Sequence, residues 1–252
     1  TGHTHLPYNC TIDDSDGHPR IVTSAYSYGR VVSEINLVID PRDNDVDRYA
    51  STSMNHAVLY DVVTPDPVMT AIIARWQPLF DALGNEVIGE ITADINRGGT
   101  EGSDRGVESP AGNLVADAQQ WATEALYDAD VAFMNPGGLR SDLIYADSAG
   151  EGDGVVTFGE AFTFQPFGNT LITYEMTGAQ IVSVLEQQCQ PAGSSRPFLH
   201  LGVSDGFSYD LATTFDGGTG DCTDVTISNV MLNGSALMDA GTYNVTVNSF
   251  LA

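Results

Sequence analysis

A turn whose residue types suit anion binding stands at residues 135–140, which read Asn-Pro-Gly-Gly-Leu-Arg. It follows the short apolar run 130–134, which is typical of a buried strand. Proline has no N–H to donate and glycine tolerates positive φ, so the strand ends there, and Gly137 and Gly138 let the backbone approach a ligand closely. Arg140 follows with a planar guanidinium suited to a carboxylate or a phosphate. The turn therefore predicts a site for an anionic ligand.

A second turn at residues 165–170, Gln-Pro-Phe-Gly-Asn-Thr, joins a predicted helix to a predicted strand. Its proline and glycine fix the turn, so Phe167 is expected to be held in a defined direction. An aromatic ring in that position can stack on a base, a contact that contributes about 1–3 kcal/mol in nucleic-acid complexes. A lone phenylalanine is more often a core residue, and Phe250 near the end of the sequence raises the same alternative.

Two histidines, His3 and His5, follow a glycine in the sequence Gly-His-Thr-His. In an extended segment their side chains point the same way, so they could bind one metal ion or two neighbouring ions. The pattern is a weak signal, because most His-x-His pairs are incidental. Two imidazoles also do not complete a zinc or manganese site, which takes about four to six ligands. Further ligands have to come from residues outside this sequence.

The composition limits the classes of partner. The formal net charge is −25, and all nine basic residues are arginines. A chain this acidic repels nucleic-acid polymers and anionic membranes, and no apolar run approaches the length of a membrane span. An anionic substrate must therefore be bound by arginines or metal ions placed locally.

The predicted helices and strands indicate an α+β chain. One helix is expected to begin with Asp66 as N-cap and Pro67 at its first position, and to end at Gly84. Pro78 within it is expected to kink or shorten the helix. Because it stands between two β-rich segments, the helix is interpreted as an interdomain connector, with a helix packed inside one domain as the alternative.

A second helix is predicted from Ser109 to about Tyr127, and capping boxes that begin at Thr157 and Thr177 each predict a shorter helix. We expect the large apolar residues of the second helix to share one face: Leu114, Ala118, Trp121, Ala125 and Leu126. Alternating or continuous apolar runs predict strands at residues 21–25, 30–39, 87–91, 130–134, 171–176, 207–209, 225–230 and 243–247.

The three cysteines, Cys10, Cys189 and Cys222, fit no zinc spacing. Cys189 follows a predicted helix and Cys222 lies in a loop rich in Gly and Asp, so an exported protein could join them in a disulfide. Free buried thiols are the alternative, and the sequence does not separate the two.

Several independent motifs occur in a fixed order. They are the Gly-His-Thr-His turn, the connector helix, Gly-Asn-Leu-Val-Ala-Asp-Ala at residues 112–118, and the segments 135–140, 165–169 and 248–252. In this order they resemble the bacterial 5′-nucleotidases, a two-domain metallophosphoesterase family that includes UDP-sugar hydrolases and cyclic-nucleotide phosphodiesterases. The resemblance covers nearly every residue. It implies an α+β fold like the 5′-nucleotidase C-terminal domain, preceded by a linker helix and the last strands of a truncated metallophosphatase domain.

The resemblance also implies domain boundaries and metal ligands. Residues 1–50 would end the metallophosphoesterase domain, residues 51–84 would be the linker, and residues 85–252 would form the nucleoside-binding domain. His3 would bind one and His5 the other of two divalent metal ions such as zinc or manganese.

The resemblance assigns roles in substrate binding as well. Arg105 and Arg140 match arginines that contact the substrate, and Asn135 matches an asparagine that bonds the base. Phe167 and Phe250 match the two aromatic residues between which the base stacks. The substrate site is completed by glycines and an amide on the two turns: Gly137, Gly138, Gly168 and Asn169.

The family segments that hold most metal ligands and the catalytic histidine would precede Thr1, and a Gly-Gly-Asp motif would follow Ala252. We therefore expect a fragment with no catalytic residue of its own, from a secreted, cell-surface or periplasmic protein whose signal peptide would also precede Thr1. The whole protein is expected to hydrolyse nucleoside 5′-monophosphates to nucleoside and phosphate. Alternatives are a 2′,3′-cyclic-nucleotide phosphodiesterase with 3′-nucleotidase activity, a UDP-sugar hydrolase, or a non-catalytic nucleoside-binding surface module. A nucleotide or nucleoside is the expected partner, and the oligomeric state is left open.

The 252-residue chain on its own is predicted not to hydrolyse AMP, because a metal-activated water needs ligands that it is expected to lack. The measurement is release of inorganic phosphate from AMP by the purified chain with manganese. Phosphate release that rises with the concentration of the chain would contradict the prediction.

Overall fold

The computed structural model describes residue 2, residues 5–147 and residues 150–252, with Glu101 described through its backbone alone. The chain forms two compact units, Thr1–Trp76 and Gln77–Ala252. Its helices are α1 (Pro67–Gly84), α2 (Pro110–Tyr127), α3 (Phe158–Phe164) and α4 (Gly178–Glu186). Its strands are β1 (Pro7–Asp13), β2 (Pro19–Ala25), β3 (Val31–Asp40), β4 (Asp45–Ala57), β5 (Val87–Glu90), β6 (Val131–Met134), β7 (Val155–Thr157), β8 (Leu171–Thr177), β9 (Gly202–Val203), β10 (Phe207–Phe215), β11 (Cys222–Leu232), β12 (Ser235–Ala236) and β13 (Thr242–Asn248). The α+β class expected from the sequence is confirmed.

The first unit contains two antiparallel hairpins, β1–β2 and β3–β4. Polar side chains connect them, because the amide of Asn55 donates to the carbonyls of Tyr8 (3.0 Å) and Ser24 (3.1 Å). Asn55 lies on β4, which continues to Ala57. The predicted linker, residues 51–84, therefore shares its first seven residues with the second hairpin.

Helix α1 begins as the sequence predicts. The carboxylate of Asp66 accepts from the backbone N–H groups of Val68 (2.8 Å) and Met69 (3.0 Å), which caps the first turn. The helix continues through Pro78 and ends at Gly84, so the predicted end is confirmed and Pro78 does not shorten it. No helix in the described part of the chain combines the length and the apolar content that a membrane span requires.

The second unit is organised around a four-stranded sheet with the order β8-β13-β6-β9. Strands β6 and β13 are parallel, whereas β8 and β9 are antiparallel to their neighbours. Successive side chains of a strand face opposite sides of the sheet. Accordingly, Val131 and Phe133 join a core cluster with Ile181 and Leu185 of α4, whereas Met134 joins the cluster that contains residues of α2.

Helix α2 has the predicted ends, and the apolar face that the sequence predicts lies away from the core. Its N-cap is Ser109, whose hydroxyl accepts from the N–H of Gly112 (3.1 Å). The expected face is exposed, since Leu114, Trp121 and Leu126 have exposed fractions of 37%, 79% and 75%. The face that packs on the sheet carries small and polar residues instead: Ala111, Val115, Ala116, Gln119 and Thr123.

The close approach of α2 to β9 explains this choice of face. A Cβ built on Gly202 would lie 2.3 Å from the carbonyl carbon of Gly112, so the two backbones are in direct contact. A helix this near a sheet has room only for small side chains between them. The large apolar residues of α2 therefore point away from the sheet.

The two predicted capping boxes are both confirmed. The hydroxyls of Thr157 and Thr177 accept from the third backbone N–H of α3 and α4, and the side chains of Glu160 and Gln180 bond back to the N-cap N–H groups. Strands β10, β11 and β12 form a separate antiparallel sheet. Its last turn, residues 233–234, has positive φ at both positions, as the Asn-Gly sequence favours.

Cys189 and Cys222 form a disulfide with Cα atoms 5.4 Å apart, and Cys10 is free and exposed. Of the two alternatives for this pair, the structure contains the disulfide. The bond joins the segment after α4 to the first residue of β11.

Removing this disulfide is predicted to destabilise the protein, because it opens a loop between cysteines 33 residues apart. The unfolded chain then gains conformational entropy, and Cys189→Ser should lower the free energy of unfolding by about 3–4 kcal/mol. Urea unfolding under oxidising conditions measures the change, with Cys10→Ser as the matched control. An equal loss in both variants would contradict the prediction.

Candidate functional site

Three segments that the sequence analysis selects meet at one edge of the four-stranded sheet. Strand β6 leads into residues 135–140, β13 leads into residues 248–252, and residues 165–170 lead into β8. The carboxyl ends of β6 and β13 lie together because these strands are parallel. The start of β8 lies at the same edge because β8 is antiparallel to β13, with Leu171 opposite Asn248. The sheet therefore gathers all three segments.

Two hydrogen bonds join the turns that carry the two phenylalanines. The N–H of Ser249 donates to the carbonyl of Thr170 (2.8 Å), and the N–H of Thr170 donates to the hydroxyl of Ser249 (3.3 Å). Phe167 is 48% exposed and Phe250 is 76% exposed. Neither ring belongs to the core, so both are available to a ligand from adjoining turns.

Arg140 connects the glycine turn to the aromatic turn. Its N–H donates to the carbonyl of Phe164 (2.8 Å) at the end of α3, and its guanidinium donates to the carbonyl of Gly137 (3.4 Å). Its Cζ lies 5.9 Å from the centre of the Phe167 ring, within the range of a cation–π contact. A positive charge and an aromatic face are therefore presented side by side.

The two glycines of the turn have different neighbours. A Cβ on Gly138 would come within 2.3 Å of the Cε of Met134, so the turn rests directly on that buried methionine. A Cβ on Gly137 would lie 3.2 Å from the Nη1 of Arg105. Arg105 comes from the long loop before α2 and is thereby placed against the glycine turn.

The guanidinium of Arg105 has no acidic partner among the described residues. Burial, followed by the charges of Arg196, Arg140 and Arg97, lowers the pKa of its guanidinium to about 10, so it remains protonated at neutral pH. In the described part of the chain, the Arg105 side chain makes no ion pair and no hydrogen bond. Four of the nine basic residues therefore lie close together in a chain of net charge −25. An anion bound there would relieve their mutual repulsion.

Arg97 and Arg196 are absent from the sequence-based predictions. Arg97 donates through Nε to the carboxylate of Asp142 (2.9 Å) and through Nη1 to the carbonyl of Arg140 (2.9 Å), so it holds the backbone behind the turn. Arg196 is exposed on the loop after α4, and the N–H of His200 on that loop donates to the carbonyl of Arg105 (2.8 Å). No local pattern in the sequence marks either arginine.

The amides of the site differ in burial. Asn135 is 9% exposed, and its Oδ1 accepts from the Nδ2 of Asn248 (2.9 Å). Asn169 is exposed beside Phe167, and its Oδ1 accepts from the hydroxyl of Ser249 (3.5 Å). A Cβ on Gly168 would meet nothing within 4 Å, so that part of the turn is open. A contact of Asn135 with a base remains a prediction.

The predicted metal ligands receive little structural support. His3 lies outside the described residues. His5 is exposed, with its ring edge-on to Tyr28 at 6.1 Å between centres. Among the side chains that the structure describes, no three or more of His, Cys, Asp or Glu form a group that could hold a metal ion. The described residues alone therefore do not make up a metal site.

The sequence of this chain matches the model of a known protein family. The sequence model described as 5′-nucleotidase, C-terminal domain, matches residues 87–252. An endonuclease of Bacillus subtilis is 26% identical over 97% of this chain, which covers 18% of that protein. A cell wall protein of Listeria monocytogenes is 31% identical over 99% of this chain, which covers 30% of that protein.

A solved structure is also similar to this chain. The crystal structure of a 5′-nucleotidase precursor from Thermus thermophilus superposes on all of this chain with a TM-score of 0.59 and 26% identity. This chain covers 47% of the Thermus chain. The chain therefore spans less than half the length of each of these relatives.

The ion pair between Arg97 and Asp142 predicts how the free energy of unfolding depends on pH. Burial tends to raise the pKa of Asp142, but hydrogen bonds and charge from Arg97 outweigh burial and hold it below its usual value. A lowered pKa stabilises the folded state above about pH 4, and the contribution is lost as the pH falls further. We expect Asp142→Asn to lower the free energy of unfolding by about 2 kcal/mol at pH 7.

Urea unfolding of the wild type and of Asp142→Asn between pH 7 and pH 3 checks this expectation, with the exposed Asp205→Asn as control. The difference between wild type and Asp142→Asn should shrink below about pH 4. A difference that stays constant over this range would show that the ion pair does not produce it.

Proposed function

Because this chain belongs to the 5′-nucleotidase family through its C-terminal domain, we propose that it supplies the nucleoside pocket of a hydrolase that cleaves nucleoside 5′-monophosphates to nucleoside and phosphate. The observation that carries the proposal is the convergence on one sheet edge of two exposed phenylalanines and an arginine that has no counter-charge among the described residues. A flat apolar base and an anionic phosphate are the two chemical parts of a nucleotide. The site offers a complement to each part.

The aromatic part of the pocket would hold the base. In the proposal the base stacks between Phe167 and Phe250, whose turns are tied by the bonds between Thr170 and Ser249. Stacking accepts any base, because every base has a π face. A preference among bases would come from amide contacts to the base edge, and Asn169 and Asn135 are the amides near the two turns.

The arginines would hold the phosphate side. Arg105 has no counter-charge in the described part of the chain, and Arg140 lies beside the ring of Phe167. In a chain of net charge −25, a phosphate is repelled from most of the surface, so these arginines define where it can bind. Holding both ends of the nucleotide would fix its orientation, which is this chain's contribution to catalysis.

We also propose that the whole protein binds two divalent metal ions. His3 and His5 would be among their ligands. The catalytic residues are proposed to lie outside this chain, as the resemblance to the nucleotidases implies.

We propose an extracellular, cell-surface or periplasmic location. The Listeria relative is a cell wall protein, and the Thermus structure is of a precursor. The disulfide between Cys189 and Cys222 supports the same location, because disulfides persist mainly in oxidising compartments.

A second candidate function is cleavage of a phosphodiester such as a 2′,3′-cyclic nucleotide. It is supported by the Bacillus relative, which is an endonuclease. Stacking and arginine contacts serve a monoester and a diester equally well, so the pocket does not separate the two. Turnover of AMP and of 2′,3′-cyclic AMP by the whole protein distinguishes them.

Removing either ring is predicted to weaken nucleoside binding. Phe167→Ala and Phe250→Ala in the whole protein should each raise the dissociation constant for adenosine by roughly 5- to 150-fold, because one base-stacking contact contributes about 1–3 kcal/mol. Isothermal titration calorimetry gives the constants. Phe215→Ala is the matched control, since Phe215 is 46% exposed on β10, away from the sheet edge.

Arg105→Gln separates the two halves of the pocket. It should weaken AMP binding and leave adenosine binding unchanged, because adenosine has no phosphate. Adenosine affinity that is the same in the wild type, Phe167→Ala and Phe250→Ala would refute the nucleoside pocket.

A further inference from the structure

One buried amide connects two of the segments at the sheet edge. Asn248, the last residue of β13, is 1% exposed. Its Nδ2 donates to the Oδ1 of Asn135 (2.9 Å) and to the Sδ of Met134 (3.3 Å). Its Oδ1 accepts from the N–H groups of Phe250 (3.0 Å) and Leu251 (3.2 Å). A single side chain thus contacts the end of β6 and the turn that carries Phe250.

Chemistry fixes the direction of these bonds. Backbone N–H groups only donate, so the oxygen of Asn248 must face Phe250 and Leu251. The Nδ2 must then face β6 and needs an acceptor there, which the Oδ1 of Asn135 supplies. No other side chain of this length offers an acceptor on one side and a donor on the other.

The orientation of Asn135 follows from this pairing. With its Oδ1 engaged by Asn248, its Nδ2 lies 3.6 Å from the position that a Cβ would take on Gly137. The Nη1 of Arg105 lies 3.2 Å from the same position. Asn248 therefore directs the donor of Asn135 toward the anion-binding turn.

Phe250 depends on the same amide. Its ring is 76% exposed, so little packing orients it, and the direction of the side chain is set by the backbone of its turn. The side-chain oxygen of Asn248 holds the N–H of Phe250, and the backbone carbonyl of Asn248 accepts from Leu251 and Ala252. A ring whose backbone is already fixed loses less entropy when a ligand binds.

We propose that Asn248 is a positioning residue that sets the donor of Asn135 and the ring of Phe250 together for ligand binding. The proposal rests on the nucleoside pocket proposed above. It assigns to one buried side chain the relative placement of two groups that come from different strands. Asn248 acts through Asn135 and Phe250 and does not itself touch the ligand.

A mutant cycle in the whole protein tests this role. Asn248→Ala should weaken adenosine binding about tenfold when Asn135 and Phe250 are both present, and less than about twofold when both are replaced by alanine. Thr246→Val is the matched control, because Thr246 is 0% exposed on the same strand and its hydroxyl bonds Thr123 and Thr173. It should lower the melting temperature without a loss of affinity that depends on Phe250.

Asn248→Asp is the second test if Asn248→Ala does not fold. Burial raises the pKa of the introduced carboxyl group, so adenosine binding is measured at about pH 9, where the ionised carboxylate accepts from Phe250 and Leu251 but cannot donate to Asn135. Its effect on adenosine affinity should persist in the Phe250→Ala background and disappear in the Asn135→Ala background.

Two results distinguish a failure of the positioning role of Asn248 from a failure of the nucleoside pocket. If Phe250→Ala weakens adenosine binding but the effect of Asn248→Ala is equally large with and without Asn135 and Phe250, Asn248 is only a structural residue and the positioning role is wrong. If Phe250→Ala leaves adenosine binding unchanged, the nucleoside pocket fails and the positioning role fails with it.

Discussion

The parallel pairing of β6 with β13 is the constraint on which the site depends. These strands are more than a hundred residues apart in sequence, yet Val131 lies opposite Val245 and Phe133 opposite Val247. Parallel strands end at the same edge, so the glycine turn and the Phe250 turn become neighbours. The antiparallel partner β8 then places the Phe167 turn beside them. The amide of Asn248 closes this arrangement from within the core.

Electrostatics gives the edge its chemical character. A chain of net charge −25 is a poor surface for anions, yet Arg105 is surrounded by Arg97, Arg140 and Arg196. Burial, followed by the like charges of these neighbours, lowers the pKa of Arg105. Arg97 is offset by Asp142, whereas Arg105 has no such partner in the described part of the chain. This imbalance is the physical reason to assign an anionic ligand to the site.

Local signals in the sequence predicted local structure well. Asp66 and Ser109 cap the helices that they were expected to cap, because capping depends on bonds within one turn. The sequence groups apolar residues of α2 on one face but does not show that this face lies away from the sheet. The contact between Gly112 and Gly202 puts the small residues against the sheet, and a contact between residues so far apart in sequence leaves no trace in helical periodicity.

The site was predictable only where a motif lies within one turn. The glycine turn and the Phe167 turn could be selected from the sequence, because proline and glycine have local conformational consequences. Asn248 and Arg97 could not, since each acquires its role from partners on other strands and loops. The family resemblance supplied Arg105 and the pairing of Phe167 with Phe250, and the sheet topology brings the turns of the two phenylalanines together.

A crystal structure of the protein with bound adenosine tests whether this sheet edge holds a nucleoside. We expect the base to lie between the rings of Phe167 and Phe250, with the ribose 5′ oxygen directed toward Arg105 and Arg140. Adenosine bound elsewhere on the protein, with both rings left exposed to solvent, would show that the edge is not the nucleoside site.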